Sequence, residues 1–414
     1  MTKENKFLPK LRFPEFEGVW KEIGLNSLLD FKNGINASKS DYGFGYKFIN
    51  VLDIIENDFI THDKIIGEVN VTKEVFEKNS VQYGDILFQR SSETRDEVGQ
   101  ANVYLDKEKK ATFGGFVIRG KKIGEYEPFF LNLLLKSSMA RKEITSKSGG
   151  STRFNVGQNI LASIKLPFPL LIEQQKIASF LQEVDKKIDL LSQKITALET
   201  YKKGLMQKLF SQEIRFKQDD GSDFSDWEEK QLGKIFLDRK GKGISKSKIT
   251  NDGIHDCILY GELYTRYNEV ITEVHSKTNT NEGIPSKIGD LLIPSSTTTT
   301  GIDLANVTAL NKPEVRLGGD IIILRSKKAI NNIFYSYYLS NYKKKAIASR
   351  AQGITIVHLY FSGIKDLFIH YPCLEEQTKL ANFLIAIDDK INQTQQQLQQ
   401  TRTFKKGLLQ QIFV

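Results

Sequence analysis

The chain has 414 residues, 40% of them hydrophobic and 26% charged, a balance that supports sizeable cores, excludes wholesale disorder and suggests two or three domains at about 100–200 residues each. A net charge of +9 and a pI of about 9.1 favour polyanionic partners, nucleic acid before an acidic membrane surface; the plainer reading is charge that only solubilises. Two cysteines, Cys257 and Cys373, exclude a disulfide framework and fit a reducing compartment, and with neither an apolar signal segment at the start nor a run of about 18 apolar residues a cytoplasmic location is expected.

In chain order, the segment around 20–169 mixes short strands with one good helix. Strands are expected at 46–54, 85–90 and 112–119. The helix is expected to start near Pro128, a favoured first-turn residue, and to run to about Ser146. A long helix follows. Ile177, Leu181, Val184, Ile188, Leu191, Ile195 and Leu198 fall at steps of four and three, a heptad seam. Lys202 breaks it before Leu205 and Leu209 resume it. The segment around 227–372 returns to the first plan, with strands expected at 257–264, 291–294 and 320–325 and a helix at 332–349. A second long helix closes the chain, its seam formed by Leu380, Leu384, Ile387, Ile391, Leu398, Leu408 and Ile412 and interrupted at Thr394, Thr401 and Lys405.

The two halves are one plan written twice. At an offset of 203 residues, LLIEQQKIASFLQEVDKKI (170–188) overlies CLEEQTKLANFLIAIDDKI (373–391), and YKKGLMQKLF (201–210) overlies FKKGLLQQIF (404–413). Weaker echoes lie upstream: Trp20 with Trp227, GDILF with GDLLI, GGFVIR with GGDIIILR. A period this long means two domains, not a solenoid. Strands gathered before a late helix make each head α+β. A strict 3.5-residue seam is narrower than the stripe of an ordinary domain helix. The two helices are therefore expected to pair with each other, antiparallel if a pseudo-two-fold axis crosses them; packing of each helix on its own domain is the alternative. Gly204 and Gly407 each cost about 1 kcal/mol relative to Ala, which suggests close approach by a neighbour.

Polar, basic loops follow matching strands in both heads. The first head has Arg90, Ser91, Ser92 and Arg95, then Ser151, Thr152 and Arg153 after the late helix. The second has Ser295, Ser296, Thr297 and Thr298, then Arg350, Gln352 and Thr355, and adds a basic Gly-rich stretch with Lys240, Lys242 and Lys246. These residue types read base edges and phosphates. Any one such loop, taken alone, reads first as a solvated turn. Corresponding loops that are polar in both heads yet different in sequence are what a reader of two half-sites needs. Catalytic patterns are missing. GFVIRGKK (115–122) ends in Lys122 where a P-loop needs Ser or Thr, the amino-methyltransferase tetrapeptide is absent, and five scattered histidines form no metal pattern.

With PKLRFPEF and Trp20 at the start, the twice-realised P-x-x-x-EQ-x-K-I/L-A-x-F-L-x-x-x-D-x-K-I and the repeated KKGL helix ends, the whole chain resembles the specificity subunits of bacterial type I restriction–modification systems. The resemblance implies two mixed α/β target-recognition domains (1–169 and 213–372), each reading one half of a split DNA site. It implies two spacer helices (170–212 and 373–414) that form an antiparallel coiled coil and set the distance between the halves. Two modification (methyltransferase) subunits and two ATP-dependent restriction (motor-nuclease) subunits would dock on a chain that is not itself an enzyme. S-adenosylmethionine, ATP and Mg²⁺ would then bind those partners, in the bacterial cytoplasm and away from any membrane. A coiled-coil scaffold that binds nucleic acid without reading its sequence is the competing expectation.

Overall fold

A computed structural model describes residues 7–413. The chain divides into two compact units: Met1–Ser192 with Gln396–Val414, and Gln193–Gln395. Each long helix therefore passes from one unit to the other, and the helices do not form a body apart from the heads.

The first unit is built on a four-stranded antiparallel sheet in the order Leu29–Asn33, Val117–Lys122, Ile86–Gln89, Ala101–Val103. The strand Ile86–Gln89 is apolar over its first three residues because both faces are covered. Ile86 and Phe88 face one core with the late helix and the long helices; Leu87 faces a second core with Ile49, Ile60, Tyr104 and Phe113. The second unit repeats this with Phe236–Lys240, Ile321–Ser326, Asp290–Pro294, Thr308–Leu310 and, beyond them, Val270–Ile271. There Leu291 and Ile293 face one core and Leu292 the other.

Several expected elements change at their ends. The strand expected over 46–54 runs Tyr42–Ile49 and gives way to a short helix, Val51–Ile55, whose N-cap Asn50 backbone N–H donates to Asp53 at 2.7 Å. The strand expected over 257–264 stops at Ile258, before the helical turn Glu262–Thr265. The helix from Pro128 breaks at Ser137, which caps a second helix, Ser138–Lys147. Its counterpart, Asn332–Tyr337, continues through a wide turn, Tyr338–Tyr342, into Lys344–Ala348. The near P-loop at 115–122 lies mostly in the strand Val117–Lys122, not at a helix start.

The long helices run Leu171–Phe210 and Leu374–Ile412, and in each unit they lie antiparallel. In the first unit Lys405 pairs with Asp185, while the backbone near Gln411 meets residues 10 and 11, which lead to Arg12 on Glu173. In the second, Lys202 pairs with Asp388 at 2.7 Å, and the end near Lys208 meets Ile214, which leads to Arg215 on Glu376. The seam is buried at Ile177, Leu181, Val184, Leu191, Leu380, Leu384, Ile387 and Ile391, and half-buried at Ile188, Ile195, Leu198 and Leu398. The positions that looked like interruptions also lie on it. Thr394 is buried and Thr401 half-buried, each hydroxyl donating to a carbonyl four residues back at 2.7 Å. Pairing and packing on the own domain occur together, since Ile177 and Leu181 share a core with Phe130 of the first head and Leu408 of the other helix.

The duplicated helix-start motif is a joint. In EQ of the first copy, Glu173 accepts from Arg12 at 2.8 Å and from the indole of Trp20 at 3.2 Å. Gln174 donates to the Pro169 carbonyl at 3.0 Å and accepts from the Glu127 backbone N–H at 3.1 Å, at the N-cap of the late helix. In the second copy Glu376 accepts from Arg215 and Trp227 at 2.9 and 2.7 Å. Gln377 likewise joins Pro372 and the N-cap Asn331 at 2.8 Å each.

Candidate nucleic-acid interface

In each unit the structure joins the two loops that the sequence marked separately. Ser91–Ser92 pairs antiparallel with Phe154–Asn155 in the first unit, and Ser296–Thr297 with Val357–His358 in the second. Each ribbon leads from the central sheet strand to the loop that follows the late helical region. The loop beyond it turns on a glycine at positive φ, Gly150 at 117° and Gly353 at 127°. A Cβ there would come within 2.1 Å of the Arg153 carbonyl oxygen or 2.0 Å of the Ile356 one, so no other residue closes these loops without strain.

The loops are stiffened from inside. Ser92 and Thr94 donate to Glu97 at 3.0 and 2.7 Å; Thr299 and Thr300 donate to Asp303 at 2.5 and 3.3 Å. Those hydroxyl bonds hold both carboxyls below their ordinary range, Thr94 acting first at Glu97 and Thr299 at Asp303. Glu97 and Asp303 were missed in the sequence, although an acid three or four residues after a hydroxyl run is a turn signal.

The expected contact residues separate by exposure. Ser92, Ser295, Ser296 and Thr297 are buried, so their side chains pack within and beside the ribbons. Ser91 is half-buried. Arg90 donates to the Gly115 carbonyl at 3.3 Å, Arg95 to those of Thr145 and Ser146 at 3.1 and 3.3 Å, and Arg350 to that of Ala346 at 2.5 Å. These three guanidinium groups tie the loops to neighbouring backbone. Ser151, Thr152, Arg153, Thr298, Gln352 and Thr355 are exposed.

Lys240, Lys242 and Lys246 are exposed as well. Lys240 ends the strand Phe236–Lys240, and the stretch turns at Gly243 and Ile244, both at positive φ. A cleft of about 880 Å³ lies between Ser245, Lys246, Tyr260, Arg266 and Asp320. The carbonyl of Asp320 accepts from the Ser295 backbone N–H at 2.8 Å, which places this cleft, where Lys246 and Arg266 stand with Glu262 and Asp320, beside the second unit's ribbon.

Both KKGL phrases have an inner and an outer side. Met206, Leu209 and Phe210 enter the core of the second unit, and Leu408, Ile412 and Phe413 that of the first. Tyr201 and Phe404 are exposed. A Cβ on Gly204 or Gly407 would meet nothing within 4 Å, so among the described residues none fills the space that the glycines leave.

No helix among the described residues is long and apolar enough to cross a membrane. The family model described as the type I restriction modification DNA specificity domain matches residues 18–200 and 224–401. The chain is 26% identical over 428 aligned residues to the protein named as the MjaX type I restriction enzyme specificity subunit of Methanocaldococcus jannaschii, covering 98% of this chain and 95% of that one. The MjaVIII specificity subunit of the same organism is 26% identical over 294 residues, 68% of this chain and 67% of that one. Among solved structures, the type I S subunit from M. genitalium superposes with a TM-score of 0.56 at 18% identity, over 99% of both chains. The HsdS subunit from Thermoanaerobacter tengcongensis gives 0.51 at 16%, over 95% of both.

Proposed function

Because the chain belongs to the type I restriction–modification DNA specificity family, we propose that it is the DNA-reading subunit of a restriction–modification complex, each head taking one half of a bipartite site. The observation that carries this reading is the pair of ribbon-held loops: the same backbone in two units, with different side chains. A scaffold without sequence preference has no need of that difference. Exposed Arg153, Gln352, Thr298 and Thr355 are assigned to base edges, and Lys240, Lys242 and Lys246 to phosphates. The chain carries no chemistry of its own in this proposal. S-adenosylmethionine, ATP and Mg²⁺ are held by two modification and two restriction subunits in the bacterial cytoplasm. The exposed aromatic and open glycine of each KKGL phrase, Tyr201 with Gly204 and Phe404 with Gly407, offer two equivalent places for two copies of one partner. The helices set the spacer between half-sites.

Long-read methylome sequencing of cells with and without the gene tests this. A two-part motif with a fixed spacer is expected, and exchange of residues 20–165 for another head alters only one half of it. Motif-free methylation, or both halves altered, refutes the assignment. Seven residues added to each helix in register add about 10 Å and lengthen the spacer by roughly 3 base pairs at 3.4 Å each; an unchanged spacer removes the measuring role.

A further inference from the structure

Loops 149–155 and 352–358 have one geometry. An isolated antiparallel bridge closes each, Gly149 with Asn155 and Gln352 with His358. The positive-φ glycine follows immediately, and the same kind of ribbon anchors the far end. Three residues at each tip then point away from the core: Ser151, Thr152 and Arg153 in one, Ile354, Thr355 and Ile356 in the other, all exposed. Ile354 is 98% exposed, so it contributes nothing to packing within its own unit. Water is a poor environment for such a side chain, since each buried CH₂ gains about 0.8 kcal/mol. The threonine is common to both tips. What differs is a hydroxyl and a guanidinium against two aliphatic groups.

We propose that the second head recognises a thymine through its 5-methyl group, with Ile354 and Ile356 as the apolar contact, at the place where the first head offers Arg153 to a hydrogen-bonding base edge. In the major groove thymine alone of the four bases presents a methyl group, and apolar side chains read it, whereas arginine reads guanine O6 and N7. Thr355 stands between the two isoleucines in sequence and Thr298 follows the ribbon residue Thr297, both exposed, and the polar cleft lined by Lys246, Arg266, Glu262 and Asp320 lies beside the same ribbon. That setting fits a nucleic-acid edge better than an apolar protein face. The inference rests on the heads reading DNA and assigns the chemistry of one contact.

The test uses the full chain with its modification subunits in cells. The methylomes of wild type, I354S and the double variant I354S/I356R, which writes the first tip into the second head, are compared. Wild type is expected to require a thymine at a fixed position of one half-site. I354S relaxes that position alone, and the double variant abolishes the preference, with the other half-site unchanged. In duplexes where each thymine of that half-site is replaced in turn by deoxyuridine, one replacement weakens wild-type binding about fourfold, the worth of one methyl group, and leaves I354A unaffected. Unchanged motifs in the variants, or equal affinity for every deoxyuridine duplex, overturn the proposal. An unchanged thermal midpoint for I354S shows that the effect is not misfolding. A wild-type methylome without a bipartite motif refutes the DNA-reading assignment itself, a distinct failure.

Discussion

Glu173 and Glu376 are each 1% exposed, and an acid so enclosed is costly unless it is paired and hydrogen-bonded. Arg12 with Trp20, and Arg215 with Trp227, supply those partners. Removing one partner leaves the acid stranded, so Arg12→Ala is expected to cost about 3 kcal/mol in urea unfolding, and Arg215→Ala a similar amount in the other unit. A loss under about 1 kcal/mol would show that the clamp is not needed. The sequence displayed each of these residues, but as a motif without a reason: EQ appeared in both copies and so did the early Arg and Trp, while nothing local says that they meet across about 160 positions. The exposed loop residues show the opposite limit. Ser295, Ser296 and Thr297 suit DNA by residue type, yet residue type does not report burial, and all three are enclosed at the ribbon. Ile354 shows the reverse, because an apolar side chain in a loop carries no sequence sign that it faces outward.

The elements followed from periodicity wherever one pattern ran long. Both long helices were legible from their 3.5-residue seams, and the two-faced strands from short apolar runs after Gly-Asp. Shorter elements were lost where a cap overrode propensity, as at Asn50 with Asp53. Lys202 and Lys405 read as defects because a seam is judged by hydrophobicity, whereas each is opposite an aspartate of the facing helix, Asp388 or Asp185. Around Lys202 the partners multiply: Glu269 lies at 3.4 Å and the Tyr337 ring at 4.9 Å, and Tyr337 donates to the same aspartate. Such a pair in an apolar seam fixes register more than it adds stability. Asp185→Leu alone is expected to lower stability by about 2 kcal/mol, since it strands a largely buried lysine. The double variant Asp185→Leu/Lys405→Leu recovers most of that loss. Urea titration of the two variants checks this, and a double variant no more stable than the single one would show that the pair is not coupled.

At the scale of the whole molecule, each unit is assembled from one head, part of one long helix and part of the other. In the second unit the end of the first long helix and the segment that clamps the start of the second are joined by a covalent linker: the Ile214 N–H donates to the Lys208 carbonyl at 3.3 Å, and the chain continues to Arg215 and Trp227, which hold Glu376. In the first unit the matching bond runs from the Leu11 N–H to the Gln411 carbonyl at 3.1 Å, between segments some four hundred positions apart, and Arg12 and Trp20 follow. The same joint thus forms with or without a peptide connection. A nick confined to the turn 211–213, between the Lys208 carbonyl and the Ile214 N–H, should leave two fragments that stay together through gel filtration and melt at the temperature of the intact chain. Their separation would mean that backbone continuity, and not the clamp, holds the second joint closed.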